Sequence, residues 1–298
     1  MGSPEFALPS LRALAADHHV VGVVTQPDRA AGRGYALKQP PVKTLALELG
    51  LPIMQPEKLR APEAVQQLCD WNPELIVVAA YGQILKSEVL SLPRYGCLNV
   101  HASLLPRWRG AAPINAAILA DDEETGVTIM QMDSGLDTGA MLAKKSFRIS
   151  ADLTAGALTQ ALSTLGADLL RESLPDILAG KLTAIAQDES LATYAPQLKK
   201  EDGRLDFTRP AAELERRVRA MNPWPGAWFE WNGNPLKVLR ASVVSGEKSL
   251  VSGSRFMVEG RPAVMSADGV LILDEVQPAG RKVMSGKSFL AGARDWTS

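Results

Sequence analysis

Residues 75–80 of the sequence form a continuous apolar run. A strand without polar alternation is typical of a parallel sheet that helices cover on both faces. Further strands are predicted over residues 20–24, 52–54, 97–100, 127–132 and 141–149. Helical patterns separate most of these strands, and the alternation predicts a doubly wound, Rossmann-like α/β domain over residues 1–182.

The chain changes character after residue 182. Residues 183–203 are polar and poorly periodic, which predicts a linker. One helix is predicted over residues 211–220, and strand-like segments broken by turn signals such as Asn232-Gly233 follow it. This pattern predicts a small β-barrel or sandwich over residues 204–298.

Composition and charge narrow the class of protein. The apolar runs fall far short of the ~20 residues that a membrane-spanning helix needs, so no membrane association is expected. The net charge is only −1, which argues against a generic nucleic-acid binder. Cys69 and Cys97 match neither a disulfide framework nor a metal-ligand spacing. We therefore expect a cytoplasmic protein whose two cysteines are buried and reduced.

Polar side chains lie at the predicted end of the strand over residues 97–100. Asn99 and His101 are two residues apart, so on an extended backbone they project to the same side. In folds of this type the carboxyl ends of the strands face the ligand crevice. An asparagine amide can stabilise the oxyanion that forms when a carbonyl is attacked, and a histidine can donate a proton. The pair therefore predicts carbonyl-centred acyl transfer.

Asp137 lies between Gly135 and Gly139, in a turn that follows the strand over residues 127–132. We expect this turn to bring the carboxylate beside His101, where it would orient the imidazole and assist proton removal. A packed histidine at a strand end and an aspartate that only forms a turn are the alternatives. No second histidine lies at a metal-ligand spacing from His101, so no metal site is expected.

Two segments carry a resemblance to a known family. Residues 99–110 have the sequence Asn-Val-His-Ala-Ser-Leu-Leu-Pro-Arg-Trp-Arg-Gly, and residues 125–132 lead into Gly135-Leu136-Asp137-Thr138-Gly139. In these segments the chain resembles the formyltetrahydrofolate-dependent formyltransferases, and the resemblance covers essentially the whole chain. It implies that Asn99, His101 and Asp137 are the catalytic set.

The resemblance also implies the donor and its pocket. The formyl donor implied is 10-formyltetrahydrofolate, which acts as a co-substrate without a metal. The pocket is implied to involve the loop after the catalytic strand and an earlier turn. The residues concerned are Ser103, Leu104, Leu105 and Pro106 of the loop, and Gln83, Ile84 and Leu85 of the turn.

The acceptor that the resemblance implies is initiator methionyl-tRNA. Residues 25–34 resemble a loop with which family members contact the tRNA acceptor end, which implies tRNA contacts by Arg29 and Arg33. The C-terminal domain is implied to be an OB-like barrel that contacts tRNA. Its basic residues Arg281, Lys282 and Lys287 fit a solvated face as well as phosphate contacts. A monomeric enzyme is expected.

The sequence is also compatible with other functions. The acceptor of the same chemistry can be a small amine such as a sugar nucleotide, or water in a formyltetrahydrofolate hydrolase. An RNA-binding module built on an inactive enzyme fold is an alternative of another class. No Gly-x-Gly-x-x-Gly follows a strand, which argues against a dinucleotide-dependent dehydrogenase.

The chain departs from the family pattern at its start. Family members begin with a β-strand that leads into a Gly-Thr/Ser-Pro-x-Phe-Ala turn, and here Gly2-Ser3-Pro4-Glu5-Phe6-Ala7 forms that turn without the strand. A start placed at an internal methionine and a truncation are the two explanations. The strand would lie centrally in the sheet, so we expect unpaired backbone groups on its neighbours and higher stability in a longer chain.

Overall fold

The computed structural model describes residues 1–31, 36–245 and 251–297. The chain divides into two compact units. The first contains Met1–Pro113, Glu124–Arg148 and Thr159–Ala195, and the second contains Ile114–Glu123, Ile149–Leu158 and Pro196–Ser298. The domain limits inferred from the sequence, namely 1–182, 183–203 and 204–298, stay a prediction.

Up to residue 195 the described chain alternates between short strands and helices. The strands are β1 (Val23–Val24), β2 (Arg29–Ala31), β3 (Ala36–Lys38), β4 (Ile53–Met54), β5 (Ile76–Val78), β6 (Cys97–His101), β7 (Arg109–Gly110), β8 (Glu124–Gln131), β9 (Met141–Arg148) and β10 (Tyr194–Ala195). The helices are α1 (Leu8–Asp17), α2 (Pro41–Glu48), α3 (Pro62–Trp71), α4 (Ser87–Leu90), α5 (Pro113–Leu119) and α6 (Ala155–Leu178). Single 3-10 turns lie at Glu5–Ala7 and Glu189–Leu191. The segment expected to be a linker, residues 183–203, thus contains this second 3-10 turn, the strand β10 and a further 3-10 turn at Lys200–Gly203.

The main sheet of the first unit is mixed. Strands β5 and β6 are parallel, with Val78 paired to Asn99, and β1 and β4 form a second parallel pair. Strand β8 is antiparallel to β6, and β9 is antiparallel to β8. A parallel pair would need a crossover connection between β8 and β9, whereas residues 132–140 join them as an antiparallel hairpin.

Strands β6 and β8 form the centre of this unit. Leu98, Val127 and Ile129 are completely buried there, and Val100 is almost so. Burying each such side chain contributes roughly 1.5–3 kcal/mol. A Cβ added to Gly166 of helix α6 would lie 2.8 Å from Val100, so the helix packs closely on β6. This packing fixes the position at which β6 ends.

Met1 and Gly2 lie between β1 and β5. The Met1 ammonium donates to the Val77 carbonyl at 2.6 Å, and the Ala79 N–H donates to the Met1 carbonyl at 2.9 Å. The Gly2 N–H donates to the Val24 carbonyl at 3.0 Å. The two residues therefore link the two parallel strand pairs into one sheet.

Met1 and Gly2 also line a cavity of about 540 Å³. Strands and helices on both sides supply apolar lining residues, among them Leu14, Val21, Val23, Leu75, Val77 and Leu174. The ammonium of Met1 is buried at one end of this cavity, and burial lowers its pKa from 8.0 to about 6. The Met1 ammonium thus carries a buried charge, whereas a neutral peptide N–H at the same place could donate to the Val77 carbonyl without one.

Extending the chain before Met1 with a few apolar residues should raise its melting temperature. It should also make the free energy of unfolding less dependent on pH. In the unextended chain the free energy of unfolding should rise from pH 6 to pH 8, because the unfolded amine keeps its proton up to pH 8.0 and the folded one only to about pH 6. The pKa difference corresponds to about 2–3 kcal/mol. Denaturant titrations at the two pH values measure it.

A Gly-Ser extension of equal length is the matched control. It also converts the ammonium to a peptide N–H, but it places fewer apolar atoms in the cavity. It should therefore lose the pH dependence while gaining less melting temperature than the apolar extension. Equal melting temperatures and equal pH dependence in the unextended chain and in both extended chains would contradict the destabilising effect of the buried Met1 ammonium.

After residue 195 the described chain is mostly β-structure. A 3-10 turn at Lys200–Gly203 precedes α7 (Ala211–Ala220), β11 (Ala227–Trp231), β12 (Asn234–Ser245), β13 (Arg255–Val258), β14 (Arg261–Met265), β15 (Gly269–Pro278), β16 (Met284–Ser285) and α8 (Gly286–Gly292). These strands pair antiparallel in the order β11-β12-β15-β14-β13, and β16 pairs with β15. The small β domain expected in this region is therefore built on an antiparallel sheet.

Helices α7 and α8 bury their apolar faces on this sheet. Leu214 and Val218 of α7 join Leu271 and Phe289 in one cluster, which Trp296 closes. The Trp296 indole donates to the Phe256 carbonyl at 2.8 Å, which satisfies its only donor in a buried position. The fold class predicted from the sequence, a Rossmann-like α/β domain followed by a small β domain, is confirmed.

One minor expectation was wrong. Cys97 is completely buried in β6, as predicted, but Cys69 is exposed. The reason is its place on helix α3, which turns Ala64 and Leu68 toward the core and leaves the next position facing solvent.

Candidate active site

The candidate site lies where β6 ends. Its parallel neighbour β5 ends beside it, because Val78 pairs with Asn99 in the sheet. The chain leaves both strands at the same edge, as parallel strands require. Asn99 and His101 therefore lie at the carboxyl end of β6. The loop that follows β5 and the loop that follows β6 begin at this same edge of the sheet.

The turn that carries Asp137 is held in a left-handed conformation. Asp137 has φ 53°, and the turn is closed by the Asp133 carboxylate, which accepts from the Gly135 N–H at 2.9 Å and the Thr138 hydroxyl at 2.7 Å. A non-glycine residue at this φ is sterically disfavoured. The surrounding contacts must therefore hold Asp137 in place.

The Asp137 carboxylate joins three groups of the site. Its Oδ1 accepts from the Asn99 amide at 3.2 Å, and its Oδ2 accepts from the Gly110 N–H at 2.9 Å. The same Oδ2 lies 3.7 Å from Nδ1 of His101. The structure thus brings together all three residues that the sequence singled out as catalytic.

His101 is buried and faces an acceptor on each side of its ring. Its Nε2 lies 3.0 Å from the Trp108 carbonyl oxygen, which can only accept, so Nε2 carries a proton. Its Nδ1 faces the Asp137 carboxylate. The doubly protonated ring can donate on both sides, whereas the neutral ring donates on one. This surrounding suits a group that takes up and returns a proton.

Two of the four predicted folate residues of the loop after β6 hold that loop together. The Ser103 side chain is completely buried and donates to the Arg107 carbonyl at 2.6 Å. The Leu105 side chain is buried against Met130 and Met141. Leu104 and the cis-bonded Pro106 are half-buried and keep accessible surface. A ligand at this loop would therefore meet Leu104, Pro106 and the backbone.

The turn that follows β5 also contains predicted folate residues of both kinds, some held within the protein and one accessible to a ligand. Gln83 uses its side chain within the protein, because Oε1 accepts from the Leu59 N–H at 2.7 Å and Nε2 donates to the Pro56 carbonyl at 3.1 Å. Leu85 is buried, whereas Ile84 is 76% exposed. Ile84 is therefore the residue of this turn with apolar surface to offer a ligand.

The predicted tRNA residues fall into three groups. Arg29 is exposed on β2, and its guanidinium lies 3.4 Å from the Gln26 side chain, which donates to the Tyr81 carbonyl at 3.1 Å. Arg33 lies outside the described residues. Arg281, Lys282 and Lys287 are all exposed in the second unit, near the β15–β16 turn and on α8.

Three residues of the site, Arg109, Gln187 and Glu189, were not predicted from the sequence. Arg109 is completely buried, and its guanidinium contacts Gln187 at 3.0 Å and Glu189 at 2.8 and 2.9 Å. Hydrogen bonding to Glu189 raises the pKa of Arg109, and the same bond lowers the pKa of Glu189. A buried arginine needs a carboxylate, but the partner is 80 residues away and lacks a sequence signal.

No group of three or more metal-ligating side chains occurs among the described residues, and the expectation of a metal-free site stays a prediction. Within the same residues, no helix has the length and apolar character to cross a membrane.

Comparison with known proteins assigns the family. The formyl transferase model matches residues 3–174, and the model of the formyl transferase C-terminal domain matches residues 197–294. The chain belongs to the formyl transferase family. The resemblance carried by residues 99–110 is thereby confirmed. This formyl transferase is 47% identical over 297 residues to the methionyl-tRNA formyltransferase of Geobacter metallireducens, over 99% of this chain and 94% of the relative.

Two solved structures share the fold of this formyl transferase. The N-formyltransferase of Helicobacter canadensis, in complex with folinic acid and dTDP-3-aminofucose, has a TM-score of 0.67 at 17% identity and covers 93% of this chain and 97% of its own. The sugar 3N-formyl transferase WlaRD, in the presence of dTDP and 5-N-formyl-THF, has a TM-score of 0.68 at 18% identity, with 94% and 97% covered. At this identity the likeness establishes the fold.

Gly139→Ala should destabilise the turn that carries Asp137. A Cβ at this position would lie 1.8 Å from the Gln131 carbonyl oxygen, so the turn must shift. Overpacking of this kind lowers the free energy of unfolding by about 1–3 kcal/mol. Thermal denaturation measures the change. The matched control is Gly292→Ala in α8, where a Cβ meets no atom within 4 Å; equal melting temperatures for the two variants would contradict the packing described here.

Proposed function

We propose that this formyl transferase moves the formyl group of 10-formyltetrahydrofolate to the α-amino group of initiator methionyl-tRNA. The observation that carries the proposal is the contact set of Asp137 with Asn99 and His101 at the end of β6. The choice of acceptor is supported by the 47% identity to a relative named methionyl-tRNA formyltransferase over nearly the full chain.

The proposed reaction begins when the neutral α-amine attacks the formyl carbon. An α-amino group has a pKa near ~8, so a usable fraction is neutral at physiological pH. The new carbon–nitrogen bond places negative charge on the formyl oxygen. Asn99 donates one amide hydrogen to Asp137 and keeps a second for this oxygen. Losing such a donor typically slows acyl transfer by about 100- to 1000-fold.

Breaking the bond between the formyl carbon and N10 of the folate completes the transfer. His101 is the proposed acid for the leaving nitrogen. Its ring has a donor nitrogen on the Trp108 side and faces the Asp137 carboxylate on the other. Asp137 assists removal of the proton that the attacking amine loses. The products are formyl-methionyl-tRNA and tetrahydrofolate, and the protons balance between the two nitrogens.

The proposal assigns the folate to the edge between the β5 turn and the loop after β6. Ile84, Leu104 and Pro106 offer apolar surface there, while Ser103, Leu105, Gln83 and Leu85 would shape the pocket from within. Folinic acid and 5-N-formyl-THF accompany two solved structures with this fold, which supports a folate donor for this chain as well.

The proposed tRNA contacts are made by Arg29 and Arg33 and by the basic residues Arg281, Lys282 and Lys287. Phosphate contacts require exposed lysine and arginine and no large overall charge. The proposal includes a monomeric enzyme in the cytoplasm, where charged tRNA is present.

A transfer assay with three acceptors tests the proposed function. The enzyme is incubated with 10-formyltetrahydrofolate and charged initiator tRNA, free methionine or a dTDP-linked amino sugar, and formylated product is followed. Formyl-methionyl-tRNA should form at least about 100-fold faster than the other products. Preferential formylation of the amino sugar, or release of formate without an acceptor, would refute the assignment of the acceptor.

His101→Ala should lower kcat by about 100- to 10,000-fold, because it removes the proposed acid from the reacting nitrogen. The KM for charged tRNA should change less than about threefold, since the proposed phosphate contacts are made by other residues. His19→Ala is the matched control, because His19 is exposed at the end of α1. Near-normal turnover of the His101 variant would exclude the proposed role.

Arg33→Ala should mainly weaken tRNA use. We expect the KM for charged tRNA to rise about tenfold and the slope of log KM against log salt to fall by about one unit, as for one lost phosphate contact. The KM for the folate should stay the same. Arg171→Ala, an exposed arginine on α6, is the control. An unchanged salt dependence in Arg33→Ala would argue against a phosphate contact.

A further inference from the structure

Residues 185–195, here called the clasp segment, lie across both loops of the candidate site. At one end Ile185 pairs with Met141, and each N–H donates to the other carbonyl at 2.8 Å. Met141 begins β9, directly after the turn that carries Asp137. The clasp segment is thus bonded to the far end of that turn.

The other end of the clasp segment is bonded to the loop after β6. The Thr193 hydroxyl accepts from the Trp108 N–H at 2.9 Å, and the Thr193 carbonyl accepts from the Arg109 N–H at 2.8 Å. Strand β10 then pairs in parallel with β7. Trp108 is the residue whose carbonyl meets His101, so the clasp segment supports both neighbours of the imidazole.

Gln187 makes the connection to Asp137 itself. Its Nε2 donates to the Asp137 carbonyl and to the Gly139 carbonyl, both at 2.8 Å. Its Oε1 accepts from Nε of Arg109 at 3.0 Å. The Gln187 amide thus makes three hydrogen bonds. Two go to backbone carbonyls and one comes from a buried guanidinium.

Arg109 fixes the orientation of the Gln187 amide. Its side chain is completely buried, and Nη1 and Nη2 donate to the two carboxylate oxygens of Glu189 at 2.9 and 2.8 Å. A bidentate pair of this kind holds the guanidinium plane in one direction. Since Nε then points at Gln187 Oε1, the amide nitrogen must face the Asp137 turn.

We propose that Gln187 is a positioning residue for the transfer reaction, which with Arg109 and Glu189 holds the Asp137 carboxylate at His101. The proposal rests on the proposed function for its kinetic consequences. Within the turn, the Gln187 side chain bonds to backbone carbonyls and not to the Asp137 carboxylate, so we expect its effect to reach the substrates through the placement of Asp137. The two hydrogen bonds offset the unfavourable left-handed conformation of Asp137, whose φ is 53°.

Gln187→Glu is the first test. The substitution keeps the size of the side chain and an acceptor for Arg109, but it replaces the donor by an oxygen that repels both turn carbonyls. We expect kcat to fall about 10- to 100-fold while the KM for the folate changes less than about threefold. Gln160→Glu, on the exposed face of α6, adds the same charge and should leave both values unchanged.

A double-mutant cycle separates positioning from general loss of structure. If Gln187 acts through Asp137, then Gln187→Glu should have less than a threefold effect on kcat in an Asp137→Asn background. The uncharged variant Gln187→Met should behave as Gln187→Glu does, with a melting temperature close to that of the unaltered chain. An undiminished effect in the Asp137→Asn background would overturn the proposal.

Histidine NMR provides a readout that needs no substrate. The chain has three histidines, and His18 and His19 are exposed, so the ring signals of buried His101 are separable by mutation. Gln187→Glu should shift the His101 signals in the same direction as Asp137→Asn and leave the other two in place. Unchanged His101 signals would overturn the positioning role, whereas absence of transfer by the unaltered chain would refute the proposed function alone.

Discussion

The site depends on one carboxylate. Asp137 accepts hydrogen bonds from the Asn99 amide and the Gly110 N–H and faces the His101 ring, so it joins three segments of the chain. Its carboxylate is what connects the turn before β9 to both the strand end at Asn99 and the loop after β6 at Gly110. The left-handed backbone at Asp137 is unfavourable by itself, and it persists because other groups hold the turn.

Two kinds of support keep this carboxylate in place. Packing of β6 and β8 around Leu98 and Ile129 fixes where Asn99 and His101 leave the sheet. Hydrogen bonds from the clasp segment then fix the two loops relative to that edge, with Gln187 and Arg109 at the centre. The rigid sheet therefore sets two of the three groups, and a short polar network sets the third. This division is typical of sites whose chemistry needs accurate placement.

Much of this arrangement follows from local sequence, and the rest does not. The helix Ala211–Ala220 was predicted with its observed limits, because a proline precedes it and its apolar residues have helical spacing. Asn99 and His101 follow from a two-residue spacing at a strand end. Gln187 and Glu189 were placed in a linker, since their partners lie 78 and 80 residues away in the sequence. Strand Arg255–Val258 was also missed, because its register depends on the strand Arg261–Met265.

We propose that the formyl group is transferred at the cluster of Asn99, His101 and Asp137. A crystal structure of this chain with a stable 10-formyl folate analogue would locate the formyl group. We expect the formyl oxygen to lie within hydrogen-bonding distance of the Asn99 amide or the His101 ring, with the pterin between the β5 turn and the loop after β6. A formyl group bound away from the end of β6, out of reach of all three side chains, would contradict it.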